Sequence, residues 1–164
     1  MKKIQSILLS LSSILTFSCA EVLEIYPQIS GEITSQAKHG QTFKKGDILV
    51  SFDDRQIQTK LAQHEGIVSL KKTLLDDAQK ILNENTTLYQ STVAAKRDVE
   101  VAQLEFDKAK AIYQTEVATL EYLKLEKEKY MIKAPFDGIV KNVPNRLNAT
   151  NINQPKILLL VESR

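Results

Sequence analysis

A long stretch without glycine or proline, from Ile67 to Ala134, constrains the fold of this chain more than any other feature. It is rich in Leu, Ala, Glu, Lys and Gln, which are strong helix formers. Polar residues cluster only between Asn83 and Thr92, which predicts a turn there. The sequence therefore predicts two helical arms of nearly equal length. One runs from about Asp54 to Leu88 and the other from about Ala94 to Lys129, with a tip near residues 88–95.

Apolar residues recur at steps of three and four along both arms, as they do in the seam of a coiled coil. In the first arm the row predicted to form the seam is Ile67, Leu70, Leu74, Ile81 and Leu88. In the second arm that row is Phe106, Ala109, Tyr113, Leu120, Leu123 and Tyr130. Further rows lie beside them: Ile57, Leu61, Val68, Leu75 and Leu82, and Val101, Leu104, Ala111, Ala118 and Leu125. A two-helix hairpin cannot bury so wide a stripe, so we expect leftover apolar surface to mark an interaction site.

The first residues, 1–20, have the layout of a secretory signal peptide: Lys2 and Lys3, an apolar run, then small residues. Two processing routes are open. Cleavage after Ala20 would discard Cys19, whereas a lipobox-like run ending at Cys19 would make that residue a lipid anchor. Because Cys19 is the only cysteine, the chain has no internal disulfide on either route. A signal peptide predicts that the mature protein is exported and lies in the periplasm or cell envelope of a Gram-negative bacterium.

Two short β-rich segments flank the hairpin, at residues 22–53 and 131–162. Ile48, Val50 and Phe52 alternate as a strand. Turns are predicted at the glycines of the first segment and at a dipeptide of the second: Gly31, Gly40, Gly46 and Asp137-Gly138. Neither segment has enough apolar residues for a core of its own. The predicted fold is α+β, with a long antiparallel coiled-coil hairpin (54–130) inserted into one small split β domain.

Charge and composition exclude several kinds of function. A formal net charge of +2 on 164 residues gives no bulk attraction for nucleic acid. The interspersed Lys and Glu are those of a solvated coiled-coil face. No Ser/His/Asp set, metal-ligand spacing or phosphate-binding loop is present, and His39 and His64 are each isolated from any cysteine. We therefore expect neither catalysis nor a cofactor.

The two β segments resemble the halves of a biotinyl-lipoyl-like domain. The resemblance rests on Ser30-Gly31, Gly40, Gly46-Asp47 and Phe52-Asp53, and on the run from Ile132 through Ala134-Pro135-Phe136-Asp137-Gly138 to Val140. In membrane fusion proteins, or periplasmic adaptors, a helical hairpin separates those halves. The chain resembles that family from about Val22 to Glu162. Biotin or lipoate would be attached to a lysine on a tight hairpin between two strands, but here the long helical insertion takes the corresponding place. Because the sequence stops at Arg164, the resemblance implies a short form without the β-barrel and membrane-proximal domains.

The resemblance implies an adaptor that links an inner-membrane transporter to an outer-membrane channel in tripartite efflux or secretion. Neighbouring hairpins and lipoyl-like domains of a homo-oligomer would pack side by side, and Leu88 and Val93 at the tip would meet the channel. Many efflux adaptors carry Arg, Leu and Ser at seven-residue spacing in the tip. Here Leu88 fits the middle position, while Ile81 and Ala95 occupy the outer two. The alternative is a structural coiled-coil envelope protein, or a truncated adaptor with no transport role.

Overall fold

The computed structural model describes residues 22–144 and 148–163, so the predicted signal peptide and Cys19 lie outside the described residues. The β-strands before the helices are β1 (Val22–Ile25), β2 (Gly31–Gln36), β3 (Thr42–Phe43) and β4 (Ile48–Phe52). The helices are α1 (Arg55–Gln90) and α2 (Lys96–Glu128). The strands after them are β5 (Met131–Lys133), β6 (Gly138–Asn142), β7 (Ala149–Thr150) and β8 (Leu159–Ser163).

The strands form two four-stranded antiparallel sheets, and each sheet combines strands from both sides of the hairpin. Their orders are β1-β8-β6-β3 and β5-β4-β2-β7. Thr42 of β3 pairs with Ile139 of β6, and Val50 of β4 pairs with Ile132 of β5. Buried side chains from both segments fill the space between the sheets: Ile25, Phe43, Leu49, Val50, Phe52, Ile132, Val140, Leu158, Leu159 and Val161. The predicted split β domain is therefore confirmed.

Strand β4 departs from the simple alternation that its sequence predicts. Leu49 and Val50 are both buried, whereas Ile48 is 49% exposed. The pairing of β4 with β5 shifts between Ile48 and Val50. An irregularity of this kind interrupts the inward and outward alternation of side chains. Of the three alternating residues, Val50 and Phe52 therefore face the core, whereas Ile48 does not.

The two helices form the predicted hairpin, and their similar lengths return the chain to its starting point. Helix α1 has 36 residues and α2 has 33. At about 1.5 Å per residue, each arm is roughly 50 Å long. At the base, the Phe52 N–H donates a hydrogen bond to the Tyr130 carbonyl at 2.9 Å. The base of the hairpin is thus joined by a backbone contact between the two halves of the β domain.

The turn of the hairpin is shorter than the polar cluster suggested. Residues from Asn83 to Thr87 are helical. Their side chains remain compatible with helix because Asn85, Thr86 and Thr87 each donate to the backbone carbonyl four residues earlier. The actual turn spans residues 91–95, where Thr92 has a positive φ of 61°. Helix α2 then begins with the Asp98 carboxylate accepting the Ala95 N–H at 3.0 Å.

The seam between the arms uses a different row of α1 from the one predicted. Ile57, Leu61 and Leu82 are buried in the hairpin, and Val68 and Leu75 are half-buried. In the predicted row only Ile67 is half-buried; the other four members, Leu70, Leu74, Ile81 and Leu88, are exposed. The two rows are adjacent in sequence and similarly apolar. Ile57 and Leu61 are buried near the β domain, and α1 is rotated so that their row, instead of the predicted row, faces α2.

The row predicted for the second arm is half-buried along α2 from Phe106 to Leu123, and Tyr130, which follows α2, packs against the core of the β domain. Across this seam, His64 Nε2 lies 3.0 Å from the Glu116 carbonyl oxygen and 3.2 Å from Glu116 Oε2. His64 is thus a seam residue that joins the arms. A polar contact at such a position favours one alignment of the helices over others.

Candidate functional site

The tip of the hairpin presents apolar side chains at the far end of a long arm. Leu88 is 43% exposed and Val93 is 74% exposed. Tyr89, which the sequence argument left out, is also exposed there. The sequence signal that could have indicated Tyr89 is its neighbour Leu88, because both residues lie in the last turn of α1. These side chains offer apolar contact area and one phenol, which suits binding to a protein surface rather than chemistry on a small molecule.

The backbone of the tip holds these residues in a fixed turn. The Ser91 hydroxyl donates to the carbonyls of Thr87 and Leu88, at 3.2 and 3.0 Å. The Val93 N–H donates to the Leu88 carbonyl at 2.9 Å. Thr92 adopts the left-handed conformation, which is costly for a β-branched residue. The tip therefore keeps Val93 close to Leu88 despite unfavourable local geometry.

The base of the hairpin is fixed by a charged contact where β4 meets α1. The Asp53 carboxylate accepts hydrogen bonds from the Arg55 backbone N–H at 3.1 Å and from Arg55 Nε at 2.9 Å. Hydrogen bonding from the Arg55 side chain lowers the pKa of the Asp53 carboxyl to about 2. The neighbouring Asp54 carboxylate accepts from Gln58 Nε2 and makes no cap hydrogen bond to the helix backbone.

Two predicted turn glycines connect the halves of the β domain. Gly40 and Gly46 have positive φ values of 78° and 91°. The Gly40 N–H donates to the Val140 carbonyl at 2.8 Å, and the Gly46 N–H donates to the Ala134 carbonyl at 2.9 Å. Asp137 lies in the bend before β6, and its Oδ1 accepts the Lys45 N–H at 2.7 Å. These residues therefore position the ends of the split domain against each other.

The other two predicted turn glycines open strands instead. Gly31 is the first residue of β2, and Gly138 is the first residue of β6. Neither has a positive φ. Gly138 is required for a different reason: a Cβ atom at this position would lie 2.1 Å from the Glu162 carbonyl oxygen. It allows close approach of two backbones, which sequence alone does not reveal.

Neither a metal cluster nor a membrane-spanning helix is found among the described residues. Within residues 22–144 and 148–163, no group of three or more His, Cys, Asp or Glu side chains is arranged to hold a metal ion. In the same part of the chain, no helix combines the length and apolar character that crossing a bilayer requires.

Comparison with known proteins gives relatives by sequence, although no protein-family model matches the chain. An uncharacterized protein of Haemophilus influenzae is 35% identical over 101 residues, which cover 62% of this chain and 23% of that protein. The multidrug resistance protein MdtA of Escherichia fergusonii is 23% identical over 126 residues, covering 76% of this chain and 30% of MdtA. The chain thus spans less than a third of the length of these relatives, 23% of the first and 30% of the second.

Solved structures match over more of the chain. The membrane fusion protein Spr0693 of Streptococcus pneumoniae aligns with a TM-score of 0.65 at 12% identity, covering 88% of this chain and 62% of Spr0693. The periplasmic adaptor protein EmrA aligns with a TM-score of 0.56 at 12% identity, covering 86% of this chain and 71% of EmrA. The chain has the fold of these adaptors. The resemblance predicted from the two β segments and the hairpin is confirmed.

Proposed function

We propose that the chain is the hairpin and lipoyl-like part of a periplasmic adaptor in an efflux or secretion system. In this role it links an inner-membrane transporter to an outer-membrane channel through protein contacts. The observation that carries the proposal is an arm about 50 Å long, with an apolar tip, on a β domain of adaptor fold. The similarity to a multidrug resistance protein supports efflux as the setting.

The tip is the proposed channel contact. Leu88 and Val93 bury little within the hairpin and lie at its far end. A surface of this kind can be altered without loss of fold, because helix ends contribute little to global stability. A substitution at the tip should therefore weaken binding to the channel while leaving the fold intact.

The tip contact can be tested by in-cell photocrosslinking with a photoreactive amino acid at Val93. We expect capture of an outer-membrane channel protein, together with loss of that product in Leu88→Asp. Leu125→Asp is the matched control, since Leu125 is 60% exposed but lies near the base of the hairpin. Both variants should keep the helix content and thermal midpoint of the wild type. An equal yield from wild type and Leu88→Asp would refute tip docking.

The structural alternative, an envelope coiled coil without a transporter, makes a different prediction for the same cells. An adaptor should copurify with an inner-membrane transporter after chemical crosslinking, whereas a purely structural protein should not. Recovery of the chain with other envelope proteins but without any transporter would favour the alternative. The adaptor role also includes self-association through hairpins and lipoyl-like domains, as proposed from the sequence.

We place the protein in the periplasm or cell envelope, with lipidated Cys19 as one of two processing outcomes. A reporter that is active only after export, fused after Arg164, should be active in cells. Mass spectrometry of the mature N-terminus separates the two outcomes. A lipid-modified Cys19 would establish the anchor, whereas an unmodified Glu21 start would exclude it.

A further inference from the structure

The end of the β domain that faces away from the hairpin carries a group of exposed lysines. Strand β4 starts at this end and leads to the base of α1, while β5 leads from the base of α2 back to it. The turns that join β2 to β3 and β3 to β4 lie there as well. We call this surface the basic end, and its members are four exposed lysines and one exposed isoleucine: Lys38, Lys44, Lys45, Lys133 and Ile48.

Backbone contacts bring the lysines close to the isoleucine. Ile48 of β4 pairs with Lys133 of β5, so the two side chains lie on the same face of the sheet, about 5 Å apart at Cβ. On the other side of β4, the Ala37 N–H donates to the Leu49 carbonyl at 2.8 Å, which places the next residue, Lys38, beside the start of β4. Ile48, which is 49% exposed, is therefore flanked by a lysine on either side.

The positive charge of the basic end exceeds that of its own carboxylates. Asp47 Oδ2 accepts the Lys44 N–H at 2.8 Å, and Asp137 Oδ1 accepts the Lys45 N–H at 2.7 Å, so both carboxylates are directed at the backbone of the turn. Within residues 22–144 and 148–163, none of the four lysines forms an ion pair, and with the two aspartates they leave a charge of about +2. The hairpin differs, because six of its lysines pair with an Asp or Glu three or four residues away: Lys72, Lys80, Lys96, Lys108, Lys124 and Lys129.

The chain enters the β domain at the basic end. Val22, the first residue of β1, pairs with Glu162 of β8, and Glu162 pairs with Ile139 of β6. Ile139 pairs in turn with Thr42, just before the turn that carries two of the lysines. Strands β1 and β6 are both antiparallel to β8, so β1 also starts at the basic end. Cys19, the lipid anchor on one of the two processing routes, precedes Val22 by three residues and therefore lies within about 10 Å of it.

We propose that the basic end binds the surface of an anionic phospholipid membrane, with its lysines on lipid phosphates and Ile48 among the headgroups. Each cation of the basic end is a lysine. Lysine is a point charge on a flexible stem, which suits a diffuse array of phosphates, whereas the rigid fork of arginine suits one specific carboxylate. Apolar and basic side chains on one surface act together at an anionic bilayer.

The entry of the chain at this end favours a membrane over an acidic protein surface. A lipid on Cys19 would hold the basic end against the bilayer, and one acyl chain alone gives only marginal, reversible binding. The lysines would supply the second attachment that stable anchoring requires. The proposal goes beyond the adaptor role, and it requires neither the channel contact nor the transporter.

The number of lysines sets the expected affinity. A lysine near an anionic membrane strengthens binding about fivefold. Four of them predict a dissociation constant on the order of 1 mM in accessible lipid for the chain without a lipid anchor. Because the attraction is electrostatic and exposed to solvent, about 0.5 M salt should abolish most of it.

Cosedimentation of the purified, unlipidated chain with vesicles provides the test. We expect binding to phosphatidylcholine vesicles that contain phosphatidylglycerol, and none to phosphatidylcholine alone. Lys44→Gln/Lys45→Gln should weaken this binding about 30-fold, since two lysines are lost. Lys71→Gln/Lys72→Gln is the matched control, because it removes the same charge from two adjacent lysines of α1. The control should bind like the wild type, and both variants should keep its thermal midpoint.

A further variant tests the contribution of the isoleucine. Ile48→Ser should weaken binding to the anionic vesicles about fivefold, because about half of an isoleucine side chain remains to be buried. Failure of the wild type to bind anionic vesicles would overturn the proposal, as would equal binding to phosphatidylcholine alone. Equal losses in the two double variants would also overturn it, since they would indicate attraction by net charge. None of these measurements involves a channel, so their failure would leave the tip contact to its own photocrosslinking test.

Discussion

Gly138 is the position where the structure makes its sharpest prediction about stability. A Cβ added there would lie 2.1 Å from the Glu162 carbonyl oxygen and 3.0 Å from Phe43 Cζ. The first of these atoms belongs to the backbone of β8, which pairs with both β1 and β6. The Glu162 carbonyl oxygen cannot move without disturbing β8, which is an inner strand of the sheet. Gly138→Ala should therefore be strongly destabilising, although it adds only one methyl group.

The size of the effect follows from what must shift. Overpacking a well-packed interior costs about 1–3 kcal/mol. If β8 moves enough to relieve the contact, the pairing of Gly138 with Ser163 weakens as well, at about 1 kcal/mol for each hydrogen bond lost. We expect Gly138→Ala to lower the free energy of unfolding by about 3 kcal/mol. Such a loss is a large fraction of the stability of an ordinary domain.

Gly66→Ala is the matched control, since it makes the same chemical change in an open position. Gly66 lies within α1, and a Cβ there would have no neighbouring atom within 4 Å. Alanine is favoured over glycine inside a helix by about 1 kcal/mol. This variant should therefore be more stable than the wild type by about that amount. The two substitutions are expected to have opposite signs.

Urea unfolding at 25 °C, followed by circular dichroism at 222 nm and by tyrosine fluorescence, measures both effects. Circular dichroism reports mainly the hairpin, while fluorescence includes Tyr130 at its base. Linear extrapolation gives the free energy of unfolding for each variant. A value for Gly138→Ala within about 0.5 kcal/mol of the wild type would refute the close approach of β6 and β8. Destabilisation by Gly66→Ala would contradict the open helical environment.

Three further predictions address the seam, the base and the tip. Leu82→Ala should cost about 2–4 kcal/mol in urea unfolding, whereas Ile81→Ala, one residue away but exposed, should cost less than about 1 kcal/mol. Because Arg55 lowers the pKa of Asp53 from 3.8 to about 2, the wild type should lose stability as the pH falls from about 4 to 2. Asp53→Asn should lack that part of the pH dependence of the thermal midpoint. Thr92→Gly should raise the thermal midpoint, since glycine removes about 1 kcal/mol of strain at a φ of 61°; a lower midpoint would contradict that strain.

The sequence by itself determined the elements and their order. Helix formers without glycine or proline from Ile67 to Ala134 leave few alternatives to helix, because propensity and apolar spacing agree over many turns. The polar residues near the middle located the tip to within a few residues. The glycines at 40 and 46 indicated left-handed turns, a preference that resides in the residue itself. The run Ala134–Gly138, which resembles part of a biotinyl-lipoyl-like domain, then indicated that the hairpin is inserted into a split β domain.

The tertiary structure alone decided which surfaces are buried and which are free. Ile81 and Leu82 are equally apolar neighbours, and either row could have formed the seam. In the folded hairpin Leu82 is buried and Ile81 is exposed. Likewise, the need for glycine at 138 comes from the carbonyl of Glu162, which is remote in sequence. Helical periodicity fixes the spacing of a row, but the rotation of the helix depends on contacts between segments that only the folded chain brings together.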